Sequence, residues 1–278
     1  MHKNGKWARA ILSAQREDGS WGRFHSLATY ETDRYTTEQA LRRLRILGYT
    51  AEDESIRRAL SYLESCLRHE RALPDPREKR HDWDLFCDLM LAANIRLFRQ
   101  DCAPANAVAE RWGRVITAAF ASGAYCAEHY CAAYRQEFGQ PPRGGRLVDF
   151  VSFYALALLP GILDRETERR MVAYILQRPD GVYYLYNSAV NTPPTFCSLE
   201  ASRWLSVIEL LARYRESRDL LAFAADWIEE NRLPDGRWDM GKTAKDGTYL
   251  PLSDDWRRAE TRIADCTERI GKLLPLLR

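Results

Sequence analysis

Sustained alternation of apolar and polar residues is missing from this 278-residue sequence, and with it the main sign of half-buried β-strands. The seven cysteines form no Cys-x-x-Cys pair and are odd in number, which argues against a disulfide framework and favours reduced thiols in a cytoplasmic protein. A basic stripe is also missing, because 41 basic and 39 acidic residues are spread along the chain. We therefore expect no nucleic-acid partner.

Long apolar runs are scarce as well. The longest, residues 150–163, is interrupted by Ser152, Pro160 and Gly161 and is too short to cross a bilayer. The first residues lead into a charged amphipathic helix and contain no apolar signal core. We expect neither a secretory signal nor a transmembrane segment.

Helical periodicity takes the place of these features. Ile56, Leu60, Leu63 and Leu67, for example, recur on one helix face, and Pro and Gly separate such segments. The pattern predicts an all-α protein with eleven helices, near residues 3–15, 36–47, 53–68, 82–100, 104–121, 125–138, 147–159, 165–177, 197–214, 218–231 and 255–273.

A turn recurs between these helices. Residues 15–21, 177–183 and 232–238 each place Gly two positions before Trp or Tyr, and the last two copies lie 55 residues apart. A fixed period of this size indicates a repeat architecture. Because a helix pair cannot bury its own apolar face, successive pairs must stack. We expect about five pairs in a single domain over residues 1–278.

The predicted helix at 197–214 is apolar over much of its circumference, which suits an inner position among several neighbours. Two sets of helices, inner and outer, would then form. The curvature of such a stack closes it, partly or wholly, into an α/α toroid. The 8 Trp and 14 Tyr residues would fill the core of that toroid or line a cleft in it.

The spacing of Gln15, Gly19 and Trp21 resembles the QW motif of the terpenoid cyclases, the squalene–hopene and oxidosqualene cyclase group. The β subunits of protein prenyltransferases share that scaffold. The resemblance implies an α/α toroid whose central funnel takes a hydrophobic or isoprenoid-like ligand. It also implies a structural role for the turn: the Gln side chain satisfies backbone groups at the next helix start, and the indole stacks over it.

The catalytic motifs of that family are missing here. No Asp-x-Asp-Asp acid occurs, and Asp101-Cys102 and Asp265-Cys266 are adjacent, whereas the prenyltransferase zinc site needs a spacing of one residue. Neither activity is carried over, so whether the chain is an enzyme stays open. We expect no cofactor and no metal, although Cys126 and His129 share a helix face and would ligate a metal if a third ligand came from elsewhere.

The starts of the inner helices would converge at one mouth of a toroid, and the candidate site lies there. His81, flanked by Asp82 and Asp84, is the candidate catalytic group, as a general base or a metal ligand. The candidate ligand-binding residues are Tyr35, Glu38, Trp83, Phe150, Tyr154, Phe196, Glu200, Arg203, Asp255 and Trp256.

Alternatives stay open for these residues. Helix capping is the simpler explanation for Thr36, Asp82, Ser198 and Ser253. A carbohydrate-active hydrolase or lyase would use Asp82 or Asp84 with Glu200 or Asp255 as two opposed carboxylates, about 5–9.5 Å apart in a glycosidase. A non-catalytic module that binds a peptide or protein on its concave face is the third class.

Overall fold

The computed structural model describes residues 2–25, 34–79, 81–147 and 149–278, and within these ranges the chain contains eleven α-helices, three short 3-10 helices and no β-strand. The all-α prediction is confirmed. The helices are α1 Lys6–Leu12, α2 Thr37–Ile46, α3 Glu54–Leu67, α4 Trp83–Phe98, α5 Ala103–Ala119, α6 Ala127–Phe138, α7 Phe153–Leu158, α8 Arg165–Gln177, α9 Leu199–Leu211, α10 Ala222–Glu230 and α11 Ala259–Leu277.

Each of these helices corresponds to one of the eleven predicted segments, and the largest shift of a helix start lies at α7. Residues 147–159 were the predicted range, whereas the helix begins only at Phe153. The backbone N–H of Phe153 donates to the carbonyl of Tyr183 (3.0 Å), and the N–H of Tyr183 donates to the carbonyl of Val151 (3.2 Å). This pairing with a distant segment holds residues 151–153 extended, so the helix cannot begin earlier.

Helices α4 and α9 form the centre of the hydrophobic core. Helix α4 contacts α2, α3, α5 and α7, and most of its residues are buried. Helix α9 is likewise buried over most of its length, which confirms the interior position predicted for residues 197–214. By contrast, α6 buries only Tyr130 and Tyr134 and lies against α5.

The first residues of the described chain pack against its last quarter. The backbone N–H of Lys6 donates to Oδ1 of Asp254 (2.8 Å), and the indole of Trp7 donates to the carbonyl of Ser253 (3.1 Å). Helix α2 makes a similar contact, because the Arg43 guanidinium donates to the carbonyl of Thr248 (2.6 Å). The start and the end of the fold are therefore joined by side-chain bonds.

Two copies of the recurring turn have the same hydrogen bonds. In residues 15–21 the indole of Trp21 donates to a carbonyl ten residues earlier (2.7 Å), and in residues 232–238 the indole of Trp238 does the same (2.8 Å). The long polar side chain that opens each turn donates to the glycine carbonyl, from Gln15 in one case and from Arg232 in the other.

The remaining contact expected of Gln15 is also present, because its amide donates to the carbonyl of Ser55 in the first turn of α3 (2.8 Å). The third copy, residues 177–183, is built differently. Val182 bonds to the backbone of Tyr186, and no indole is available to reach back. The shared turn geometry thus covers two of the three copies.

The cysteine residues are all free thiols. In the described ranges, no helix combines the length and the apolar character that a bilayer crossing requires.

Candidate functional site

Two adjoining cavities of about 230 and 180 Å³ share Arg42, Tyr184 and Thr248 as walls, and we call them together the central cavity. They lie between α2, α7 and α9 and the segment that follows the short 3-10 helix at residues 242–244. The other walls come from His25, Thr36, Glu38, Gln39, Tyr154, Leu185, Arg203, Ser206, Asp246 and Tyr249.

Four hydrogen-bonded side chains, His25, Glu38, Arg42 and Tyr154, form what we call the central cluster. The Tyr154 hydroxyl donates to Oε2 of Glu38 (2.7 Å), and Nδ1 of His25 lies 3.0 Å from the same oxygen. The other carboxylate oxygen accepts from the Arg42 guanidinium (3.0 Å). Since an ionised carboxylate only accepts, Nδ1 of His25 carries the proton in this arrangement.

Helix α2 positions Glu38 and Arg42 on one face, four residues apart. Its start is fixed by a capping box, in which Thr36 and Gln39 each bond to the other's backbone. The N–H of Glu38 in the first turn also donates to the carbonyl of Phe24 (3.1 Å). The segment that carries His25 is therefore bonded directly to the start of the helix that carries its partner.

The carboxylate of Asp75 fixes the backbone at His25. Its two carboxylate oxygens accept the backbone N–H groups of Phe24 (2.6 Å) and His25 (2.8 Å). The imidazole is then surrounded by aromatic edges, with ring centroids of Phe86 at 5.5 Å and Tyr184 at 5.8 Å. The ring is thus placed by backbone bonds and by aromatic packing together.

Burial and charge oppose each other in the pKa values of the cluster. Burial disfavours the carboxylate of Glu38, but the His25 hydrogen bond and the Arg42 charge outweigh it, so the pKa of Glu38 is lowered. Burial likewise disfavours protonated His25, yet Glu38 raises the pKa of His25 above its usual value. Burial, with the Glu38 charge, raises the pKa of Tyr154, which stays a neutral donor.

The raised pKa of His25 predicts a pH-dependent stability. A histidine whose folded-state pKa is raised stabilises the fold fully below its unfolded pKa of about 6.5 and loses that contribution as pH rises through the folded pKa. The free energy of unfolding should therefore fall above about pH 6.5, by about 1.4 kcal/mol for each unit of the shift. Urea midpoints followed by tryptophan fluorescence from pH 6 to 9 would measure this.

His25→Gln should flatten that pH profile, whereas His129→Gln on the exposed surface of α6 should leave it unchanged. An equally steep fall in both variants would assign the titration to another group.

The three candidate catalytic residues do not meet. His81 is buried against the Phe86 ring (centroids 4.6 Å apart), and neither of its ring nitrogens has a hydrogen-bond partner among the described residues. Burial lowers the pKa of His81, which favours its neutral form. Asp84 is exposed and pairs with Arg77 (2.8 Å). Asp82 precedes α4 without capping it. His81 with its flanking carboxylates is therefore not an assembled acid–base group.

Only part of the predicted ligand-binding set lines the central cavity, namely Glu38, Tyr154 and Arg203. Trp83 is buried beside His81, and Tyr35 is half-buried beneath the Arg34 guanidinium.

The other predicted residues lie in the core or on the surface. Phe150 packs in a cluster with Tyr125 and Tyr174, and Phe196 packs on Trp227. Two further residues lie near solvent: Glu200 pairs with Arg203 (2.9 Å), and Asp255 pairs with Arg258 (3.0 Å). Trp256 is buried and borders a separate pocket beside Trp7.

The capping predictions are confirmed in part. Thr36 and Ser198 accept backbone N–H groups at the starts of α2 and α9. Asp82 makes no such bond, and Ser253 precedes no helix but bonds to Asp265 in α11.

The Cys126 thiol donates to Glu128 (3.2 Å), and it belongs to no metal-like cluster. No group of three His, Cys, Asp or Glu side chains that could hold a metal occurs in the described part of the chain.

Sequence reasoning missed His25, Arg42, Asp75 and Tyr184. Two of these left a signal. Arg42 stands four residues after Glu38, and Asp75 lies in Leu73-Pro74-Asp75, a stretch that echoes the repeated turn without its glycine. His25 and Tyr184 belong to no motif.

Comparison with known proteins adds nothing to this geometry: no family model, curated protein or solved structure matches the chain.

Proposed function

We propose that the helices close into an α/α toroid of five pairs, within a single domain. Support comes from the order of contacts among α2, α4, α7, α9 and α11. Each touches the next in that order up to α9, and Arg269 of α11 bonds to Glu209 of α9 (2.6 Å). The bond from Arg43 to the segment before α11 would close the circle. The other helices lie outside, with α3 touching α5 and α5 touching α8.

In this arrangement the central cavity lies near the axis of the toroid, and we propose that it binds a small sugar, of which the uronate class fits best. The central cluster carries this proposal. Buried polar groups are expensive unless they are paired, and a core needs none of them for packing. A concave site with a few convergent polar groups is the usual form of a ligand site.

The composition of the walls supports the ligand class. Hydroxyl, amide, guanidinium, imidazole and carboxylate groups dominate, the carboxylates being those of Glu38 and Asp246, and Leu185 is the one aliphatic side chain among the described wall residues. A sugar would pair with those groups, and the Tyr184 ring offers an apolar face. Arg203, whose partner Glu200 is half exposed, favours a carboxylate on the ligand. The hydrophobic or isoprenoid-like ligand that the resemblance implies would leave the same groups unpaired.

Isothermal titration with glucose, glucuronate and farnesol tests the proposal. Glucuronate should bind more tightly than glucose, and farnesol should not bind. Arg203→Gln should weaken glucuronate binding tenfold or more, because one charged hydrogen bond is worth about 1.5–3 kcal/mol. The matched control Arg57→Gln, on the exposed face of α3, should bind normally. Binding of farnesol without binding of glucuronate would reject the proposal in favour of a hydrophobic ligand.

A carbohydrate lyase is the second candidate, and the His25–Glu38 pair favours it. In such a reaction a base takes the proton beside the uronate carboxylate, and the glycosidic oxygen leaves to give an unsaturated sugar. His25 is the group of the cluster that can exchange a proton near neutral pH, with Glu38 stabilising its protonated form. Ultraviolet absorbance during incubation with polygalacturonate would detect the product. No absorbance, or an equal rate in His25→Gln, would exclude this role.

A further inference from the structure

A second cavity, of about 330 Å³, lies where α2, α9 and α11 end, and we call it the C-terminal cavity. Tyr249 lines both this cavity and the central one. Its volume falls at the lower end of the range for small-molecule pockets, about 300–1,000 Å³. Its lining residues are Arg45, Ile46, Gly48, Glu209, Arg213, Tyr249, Leu252, Arg269, Lys272, Leu273 and Leu276.

Arg45 is the residue that needs an explanation. Its Nε atom is buried without a hydrogen-bond partner, and no carboxylate of the described chain lies within ion-pair distance. Its position in the last turn of α2 suits a cation, because the helix dipole is negative there. That interaction does not satisfy the buried N–H, so an acceptor is missing from the site.

The neighbouring charged side chains are bonded to other partners. Arg269 is paired with Glu209 (2.6 Å), and Lys272 is paired with Glu268 (2.6 Å). Among the described residues, the acceptors of Arg213 are the backbone carbonyls of Ala157 (3.1 Å) and Arg96 (3.3 Å). Burial, with the nearby charge of Arg45, lowers the pKa of Arg213 to about 10. Two guanidinium groups therefore repel each other across this cavity, and no carboxylate of the described residues is bound to either.

Much of the rest of the wall is aliphatic, beside the ring of Tyr249. Ile46, Leu252, Leu273 and Leu276 line it, and Leu276 is 54% exposed, which makes it the large apolar side chain most open to solvent among those described. An apolar surface beside the Arg45 and Arg213 guanidinium groups suits a ligand that has one apolar and one anionic end.

We propose that the C-terminal cavity binds an amphiphilic anion, a carboxylate or phosphate attached to an apolar chain. The anionic group would supply the acceptor that Arg45 lacks and offset its repulsion with Arg213. The chain would cover the leucine side chains. This site and its ligand are separate from the sugar site proposed above, and neither proposal depends on the other.

Isothermal titration with octyl phosphate, octanoate, inorganic phosphate and octyl glucoside, each below its micelle concentration, tests this site. Octyl phosphate or octanoate should bind at least tenfold more tightly than inorganic phosphate and octyl glucoside. Arg45→Gln should weaken that binding tenfold or more. Arg57→Gln on α3 and Arg203→Gln in the central cavity should leave it unchanged.

Leu276→Ser, at an exposed position, gives a second variant if Arg45→Gln does not fold, and it should weaken binding of the octyl compounds but not of inorganic phosphate. Three results would overturn the proposal: no binding of either octyl anion, equal binding of octyl glucoside, or unchanged binding in Arg45→Gln and Leu276→Ser. The titrations with glucuronate are separate, so failure of one site leaves the other testable.

Discussion

Glu38→Ala should lower the free energy of unfolding by about 3–5 kcal/mol, the usual result of removing one partner of a buried ion pair. Glu38 is 7% exposed and is bonded to His25, Arg42 and Tyr154 at once. Its loss would leave the Arg42 charge in the interior without a counter-charge, while the Tyr154 hydroxyl would lose its acceptor. Urea unfolding at pH 7 would measure the change.

Glu200→Ala is the matched control. Glu200 also lies in the first turn of an interior helix and pairs with an arginine three residues later, but its side chain is half exposed. Its removal should change stability by no more than about 0.5–1 kcal/mol. Glu38→Gln, which keeps an acceptor and loses the charge, should fall between the two. Equal effects of the two alanine variants would mean that the cluster is screened by solvent and is not a buried site.

Gly19→Ala should destabilise the fold by about 3 kcal/mol through two separate effects. The backbone at Gly19 has φ +92°, which costs an L-residue about 1–2 kcal/mol. A Cβ there would also lie 2.5 Å from the carbonyl oxygen of Arg58 in α3, so backbone must move, at a typical cost of about 1–3 kcal/mol. Thermal and urea unfolding would measure the sum.

Gly247→Ala separates the two effects. Gly247 has φ +81°, and nothing lies within 4 Å of a Cβ built on it. This variant should therefore show the backbone cost alone, about 1–2 kcal/mol. At Gly236, in the matching turn, the nearest atom is the end of the flexible Arg232 side chain at 3.4 Å, so Gly236→Ala should resemble Gly247→Ala. If Gly19→Ala were equally mild, Gly19 would not lie as close to the Arg58 carbonyl of α3 as the structure places it.

Local signals were enough to predict most of the helices. Residues 165–177 are helical as predicted, because Asp164 caps the start (3.0 Å to the N–H of Thr167) and Pro179 follows the end. The start of α7 could not be predicted in this way. It depends on backbone bonds between residues 151–153 and Tyr183, about thirty positions away, which leave no mark on periodicity.

The site was harder to predict than the fold, since it depends on such distant contacts. Glu38 and Tyr154 were found because they stand at helix starts. His81 was expected to act as a general base or a metal ligand, yet a loop covers it: Arg143 donates to its carbonyl (3.2 Å), and Gly144 lies against its Cβ. The position of His25 depends on Asp75, fifty residues further along the chain. No short-range pattern encodes either contact.

The bonds between α1 and the last quarter of the chain can form only after most of the chain has been synthesised. The indole of Trp7 has its carbonyl acceptor 246 residues further along, on Ser253. At the usual pace of translation, about 5–20 residues per second, roughly 12–50 seconds separate the synthesis of the two partners. Helix α1 cannot gain its complete native surroundings on a nascent chain until that distant stretch has emerged.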